Sequence, residues 1–164
     1  GDTELVLDVR VSDTTGNDVI EGAFTYLAGD FEEVPDVASP GYGMAPPRLL
    51  MSGDFEADKD VLVQFREISN QTDLVYLFVG FGRAEPPIMI EGGQLAVDLN
   101  DFFFTVFITP MGNEFSFSQK MAPEFDSALD GVPVYLQAVT EEQAGPNTRF
   151  GFTDLMIATI DSAP

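Results

Sequence analysis

Apolar residues recur at every second position in several parts of this chain, and this period of two is the feature that most limits its fold. Between residues 5 and 11 every odd position is apolar and two of the three even positions are charged. Successive side chains of an extended strand point to opposite sides, so the odd-numbered residues would share one face. The alternation predicts a β-strand over residues 3–12 with one apolar face, formed by Leu5, Leu7, Val9 and Val11.

The same pattern predicts about ten strands in all. Most of the segments are rich in Val, Ile, Phe, Tyr and Thr, and Gly- or Asn-containing turns separate them. They cover residues 19–28, 48–55, 60–68, 73–81, 94–99, 102–109, 114–119, 132–140 and 153–160. Many short strands joined by such turns are typical of sandwiches and barrels. We therefore predict an all-β, single-domain β-sandwich, jelly-roll or Ig-like, with negligible helix beyond one turn within residues 121–129.

The composition favours a folded domain with few anionic partners. The 164 residues are 45% hydrophobic, enough for a sizeable core in one domain. Acidic residues number 28 against 7 basic ones, which gives a formal charge of -21. Binding to a nucleic-acid backbone needs clustered Lys and Arg, so nucleic acid is a poor partner. No apolar run approaches the ~18 residues of a transmembrane helix, and we expect no membrane insertion.

The chain also lacks the residues on which much enzyme chemistry depends. It contains no Cys and no His, which excludes a thiolate nucleophile, a Ser-His-Asp triad and thiolate or imidazole metal ligands. Pairs of carboxylates remain, but 28 acidic residues produce such pairs by chance. We therefore predict that the protein is not an enzyme.

One acidic segment has the alternation of a possible calcium site. Asp54, Glu56, Asp58 and Asp60 occupy every second position, so in an extended segment their carboxylates would share one face. Oxygen ligands of this kind suit Ca²⁺. The glycine and the final glutamate of an EF-hand loop are missing, and a solvated acidic turn is the alternative. Calcium is the only cofactor that the sequence suggests.

Two strands are apolar on both faces, and a proline-rich segment stands apart. Residues 74–81 and 102–108 are almost continuously apolar, so both faces of each strand need a cover. Residues 31–47 contain four prolines and two glycines and form the longest irregular stretch of the chain. We expect either loops such as 31–47 or neighbouring subunits to cover the strands.

The last part of the chain carries a recognisable pattern. Leu129, Gly131, Tyr135, Gln137 and Ala138 form an L-x-G-x-x-x-Y-x-Q-A motif that precedes a closing strand. With the preceding Phe-rich strand, the region from about residue 76 to 160 resembles the C-terminal module of secreted β-sandwich proteins of environmental bacteria. The resemblance implies export and an Ig-like or jelly-roll sandwich, and it implies no catalytic residues.

These observations lead to two hypotheses about function. The chain starts at Gly1 without Met, from which we expect a mature extracellular or cell-surface chain that has lost an N-terminal signal. The first hypothesis is a structural subunit of a filament, pilus or surface layer that assembles with copies of itself. The alternative is a secreted carbohydrate- or ligand-recognition module, with or without calcium, although the chain has no Trp to form a sugar platform.

The first hypothesis includes a specific joint. Residues 1–12 are predicted to act as a donated strand that completes the sheet of a neighbouring subunit, whose sandwich domain is residues 13–164. In this joint Leu5, Leu7, Val9 and Val11 would enter the core of the acceptor. Pairing of the strand within its own chain is the alternative.

Overall fold

The computed structural model describes residues 3–12, 17–28, 30–35 and 37–161, with side chains from residue 30 onwards. These residues form thirteen β-strands and one 3₁₀ turn, Ser127–Leu129, so the prediction of an all-β fold is confirmed. The strands are β1 Thr3–Ser12, β2 Asn17–Ala28, β3 Phe31–Val34, β4 Arg48–Gly53, β5 Asp60–Arg66, β6 Thr72–Gly80, β7 Arg83–Ile90, β8 Gly93–Val97, β9 Phe103–Ile108, β10 Phe115–Lys120, β11 Pro133–Ala144, β12 Asn147–Phe152 and β13 Leu155–Thr159. No helix in this part of the chain is long and apolar enough to cross a bilayer.

Two antiparallel sheets of unequal width form the sandwich. The larger sheet has the order β3-β13-β11-β6-β9, with β12 beside the second half of β11. The smaller sheet has the order β10-β5-β4. The β7–β8 hairpin packs on the outer face of the larger sheet, where it contributes to a second hydrophobic cluster. The smaller sheet and the hairpin therefore cover the two faces of the larger sheet over its central strands, β11 and β6.

The main core lies between the two sheets. In β5, Val61, Val63 and Phe65 are buried and alternate with less buried residues. They belong to the same cluster as Val75 and Leu77 of β6 in the larger sheet. This alternation follows from the period of two, because only one face of the smaller sheet contacts the core.

A second core lies under the β7–β8 hairpin. Leu95 and Val97 of β8 are fully buried and cluster with Phe152 and Leu155 of the larger sheet. Tyr76 and Phe78, which alternate with the inward residues of β6, pack against this cluster. The expectation that residues 74–81 need a cover on both faces is thus confirmed, and elements of the same chain provide it.

A buried glutamine joins the hairpin to the larger sheet. The Nε2 of Gln137 donates to the carbonyl oxygens of Gln94 and Thr153, at 2.9 Å each. The backbone N–H of Ala96 donates to the Gln137 Oε1 at 2.7 Å. Because Gln137 is fully buried, these bonds satisfy polar groups that solvent does not reach.

The proline-rich segment 31–47 is more ordered than the sequence predicted. It begins with β3, which pairs with β13 and so extends the larger sheet. Further along, Ser39 forms an isolated bridge with Phe152, and the Asp154 carboxylate accepts hydrogen bonds from the N–H groups of Val37 and Ala38. Val37 of this segment packs in the second hydrophobic cluster, so the segment contributes to the cover of the outer face of the larger sheet.

Three strands were not predicted from the sequence, and they share weak alternation. They are β3, β7 and β12. In β7, Pro86 and Pro87 interrupt the pattern, and the register with β8 shifts between Arg83 and Ile88. Proline is tolerated there because β7 pairs with β8 alone among the described strands, so one of its edges needs no donor.

The predicted strand over residues 3–12 is present as β1, and it pairs with β2. The register runs from Thr3 opposite Ala28 to Ser12 opposite Asn17. We call β1 and β2 the N-terminal hairpin. It forms a two-stranded sheet of its own, so β2 is not a strand of the sandwich sheets, although it contacts β4.

Candidate assembly surface

The edge strand β9 has an exposed apolar surface. Within the described residues β9 pairs with β6 alone, so its second edge has no strand beside it. Its sequence, FFTVFI, contains no charged residue. Phe104 and Phe107 are 48% and 66% exposed, although both are large aromatic residues. Edge strands usually carry charges, prolines or bulges that prevent pairing with other chains, and β9 has no such feature.

The register shows which side of β9 faces the core between the sheets. Val106 lies opposite Leu77, and Phe104 lies opposite Val79. Directly opposed residues share a face, so Phe104 and Val106 point towards the smaller sheet. Phe107 lies opposite Tyr76 on the other face, where the two rings meet edge to face with centroids 5.5 Å apart.

A groove opens between β9 and the edge strand of the smaller sheet, β10. Its volume is about 470 Å³, and it continues inward between the sheets as far as Met51 and Phe55. We call it the edge groove. Phe104 and Val106 form one wall, and Phe117 and Gln119 of β10 form the other. The main core is therefore incompletely filled along this side, although protein interiors are normally close-packed.

The edge groove is nearly free of charge in a strongly acidic protein. Among the described residues that line it, only Lys120, at the end of β10, is charged. The Lys120 ammonium lies 2.9 Å from the Asp58 carboxylate. Their hydrogen bond and opposite charge lower the pKa of Asp58 and raise the pKa of Lys120. Both side chains are largely exposed, so the pair serves as a rim of the groove rather than a buried element.

The geometry of the edge groove fits a β-strand as its occupant. A strand that lies along β9 would pair with its free N–H and C=O groups, while every second side chain would enter the apolar space. Exposed apolar surfaces of this kind mark interaction sites in soluble proteins.

The predicted donor residues lie in the N-terminal hairpin, where β1 pairs within its own chain. Leu5, Leu7, Val9 and Val11 lie in β1, where the register places Leu5 opposite Tyr26 and Leu7 opposite Phe24. The register shift between Leu7 and Val9 inserts the additional residues into β2, so β1 keeps its regular alternation. Among the described strands β1 pairs with β2 alone, which leaves its second edge without a partner strand.

Three of the four residues of the calcium hypothesis, Asp54, Glu56 and Asp58, lie in the connection between β4 and β5, which is not extended throughout. Glu56 forms an isolated bridge with Asp161, Asp58 has a positive φ of 61°, and Asp60 begins β5. The assumption that alternate positions share one face therefore does not hold between Asp54 and Asp60. Over the residues that the structure describes, no three acidic side chains are grouped as potential metal ligands.

A second, more polar pocket lies on another part of the surface. Its volume is about 520 Å³, and Arg66, Asn70, Asn113 and Glu114 contribute to its lining together with Tyr42. Arg66 and Glu114, which both line it, form an ion pair of 2.9 Å. The guanidinium of Arg149 lies 4.7 Å from the centroid of the Tyr42 ring. Polar groups and one aromatic ring are the elements of a small-ligand site.

Sequence reasoning identified the apolar strand at residues 102–108 but not the edge groove. The partner wall, β10, alternates Phe115 and Phe117 with serines, which is the pattern of any half-buried strand. The absence of charge in β9 was the available signal, since edge strands of soluble proteins normally carry charge.

The chain matches no protein-family model, no curated protein and no solved structure.

Proposed function

We propose that this protein is a structural subunit of an extracellular assembly, in which β1 of one copy adds to a sheet of the next. The observation that carries the proposal is the uncharged, solvent-exposed edge of β9 beside an unfilled apolar groove. A monomeric protein with 28 acidic residues has ample means to cover such an edge with charge, yet none lies within β9.

The N-terminal hairpin supports the same proposal. A two-stranded hairpin without further packing is at best marginally stable in water, and this hairpin forms a sheet of its own that contacts the sandwich at β4. The register of this hairpin pairs apolar with apolar residues, such as Val9 with Ile20. Each aliphatic side chain that becomes fully buried contributes about 1.5–3 kcal/mol. Docking on a second copy would therefore stabilise both the hairpin and the open sheet edge.

The location of the assembly rests on the resemblance of residues 129–138 to secreted sandwich proteins. We therefore place the protein at the cell surface or outside the cell, without a resident cofactor and without enzymatic activity. Fractionation of source cells tests this part, and recovery of the protein from the cytosol alone would contradict it.

The assembly proposal is tested by negative-stain microscopy and analytical ultracentrifugation of the purified chain. We expect filaments or large oligomers for the natural sequence and loss of assembly in Leu7→Asp. The matched control is Val6→Asp, which introduces the same charge on the opposite face of the same strand. A natural chain that stays monomeric at high concentration, or equal loss of assembly in both variants, would refute the donor-strand joint.

The polar pocket favours a second candidate function, a recognition module for a carbohydrate or another polar ligand. Tyr42 supplies one aromatic ring, and Arg66, Asn70 and Asn113 supply hydrogen-bonding groups. A panel of oligosaccharides screened by calorimetry tests this candidate. Specific binding that Tyr42→Ala abolishes, by a protein that remains monomeric, would favour recognition over assembly.

A further inference from the structure

We infer that the edge groove is the acceptor site for β1 of a second copy, and that β1 pairs there with the free edge of β9. This inference rests on the proposed function and adds where the donated strand binds. The alternatives within that function are the other sheet edges, namely β3, β4 and the free edge of β10.

The β1 strand is long enough to cover the whole edge of β9, and the two strands have the same side-chain repeat. A strand advances about 3.3 Å per residue, so the six residues of β9 present an edge of about 20 Å and the ten residues of β1 span about 33 Å. Along β9 the inward side chains recur at every second residue, at Phe104, Val106 and Ile108. The apolar residues of β1 have the same repeat, so an antiparallel or parallel alignment places them in one continuous row with the wall of the groove.

The charges are also compatible. Within β1, Glu4, Asp8 and Arg10 give a net charge of -1 by count. Among the described residues that line the groove, Lys120 alone is charged, and the Asp58 carboxylate 2.9 Å away balances its charge. Two copies that each carry -21 repel one another over most of their surfaces. Because β1 carries a net charge of -1 and the groove is nearly uncharged, contact between these two regions adds little to the repulsion.

The positions of donor and acceptor allow an open-ended polymer. The N-terminal hairpin contacts β4, whereas the groove lies beside β10, at the opposite edge of the smaller sheet. A contact between two different surfaces is head-to-tail and propagates into a filament unless the rotation closes a ring. Since the second edge of β1 has no strand beside it in the hairpin, β1 can add to β9 while it remains paired with β2.

Cysteine cross-linking tests this site directly, because the natural chain contains no cysteine. Two single-cysteine variants of the full chain are mixed, Val9→Cys and a size-tagged Val106→Cys, and are oxidised mildly. Disulfides form only where Cβ atoms approach to about 4 Å. We expect a mixed disulfide dimer at least tenfold more abundant than in two controls. One control replaces Val9→Cys by Asp8→Cys, on the other face of β1, and the other replaces Val106→Cys by Met89→Cys, an exposed apolar position of β7 outside the groove.

The outcomes separate this inference from the proposed function. In one outcome, filaments require Leu7, but Val9→Cys cross-links to cysteines placed in β3 or β4 and not to Val106→Cys. This result would overturn the groove as the acceptor site and would leave the donor-strand proposal intact. A double variant that forms the 9–106 disulfide within one chain, without the mixed dimer, would show that the hairpin fills its own groove and would also overturn the inference. Absence of both filaments and the mixed dimer would overturn the function and the site together.

Discussion

The strongest stability prediction concerns Gln137, the buried side chain that joins the β7–β8 hairpin to the larger sheet. We consider Gln137→Leu, which keeps the side chain near its original size and removes all of its hydrogen-bonding groups. The three partners that remain are the N–H of Ala96 and the carbonyl oxygens of Gln94 and Thr153. Solvent does not reach this position, since Gln137 is 0% exposed.

The cost follows from the number of groups that lose a partner. A buried N–H without an acceptor costs about 1–3 kcal/mol, and each lost hydrogen bond to a carbonyl costs about 0.5–1.5 kcal/mol. The sum is about 2–6 kcal/mol in the free energy of unfolding, with a midpoint near 4 kcal/mol. For a protein of this size, 4 kcal/mol lowers Tm by roughly 8–16 °C.

Urea and thermal unfolding followed by circular dichroism measure the effect. The matched control is Gln143→Leu on the same strand, where the lost bond joins two side chains near the surface, Gln143 and Thr148. We expect the control to change stability by less than about 0.5 kcal/mol. Hydrogen exchange should also show faster exchange of the Ala96 amide in Gln137→Leu. Equal stability of the two variants would mean that Gln137 does not hold the hairpin in place.

Three further predictions concern ions and pH. Salt should promote assembly, because it screens the repulsion between subunits of charge -21. The Debye length falls from about 10 Å at 0.1 M to about 3 Å at 1 M. Slower assembly at high salt, measured by light scattering, would contradict this prediction. Calcium or a chelator should leave Tm unchanged, since the described residues include no group of three potential metal ligands and the positive φ of Asp58 turns the chain between Asp54 and Asp60; a calcium-dependent rise in Tm that Asp60→Asn removes would support the calcium hypothesis. The Glu141 carboxylate accepts the Tyr76 hydroxyl hydrogen bond, and this bond, with burial and the negative charge, raises the pKa of Tyr76. Because the pKa of Tyr76 is raised in the folded state, its stabilisation is complete below the unfolded pKa and is lost as the pH rises through the folded pKa. Ultraviolet titration should show one tyrosine that ionises at higher pH than the others. In Glu141→Gln the pKa of this tyrosine should fall towards that of the others.

The motif in the last part of the chain has a physical explanation in this structure. Gly131 has a positive φ of 71°, a conformation that favours glycine, in the turn that precedes β11. Gln137 makes the three buried hydrogen bonds described above, and Ala138 is fully buried in the main core. The sequence showed the motif, but the role of Gln137 depends on Gln94 and Thr153, which lie 43 and 16 residues away along the chain.

The alternation of apolar residues was sufficient to determine the all-β class and most of the strands, because the side-chain period of a strand is local to the chain. The counts of charged residues, Cys and His likewise limited the possible chemistry without any structure. Strand order was not accessible in this way, since pairing joins segments such as β6 and β9 that no local pattern connects. Only the tertiary structure showed that β9 is an edge strand and that β10, the edge strand of the smaller sheet, lies across the groove from it. It also showed that the space between them is unfilled. The same limit applied to the acidic segment, where the positive φ values of Gly53 and Asp58 turn the chain and prevent its carboxylates from sharing one extended face. A period of two predicts which residues share a face only while the backbone stays extended, and the tertiary structure determines where it bends.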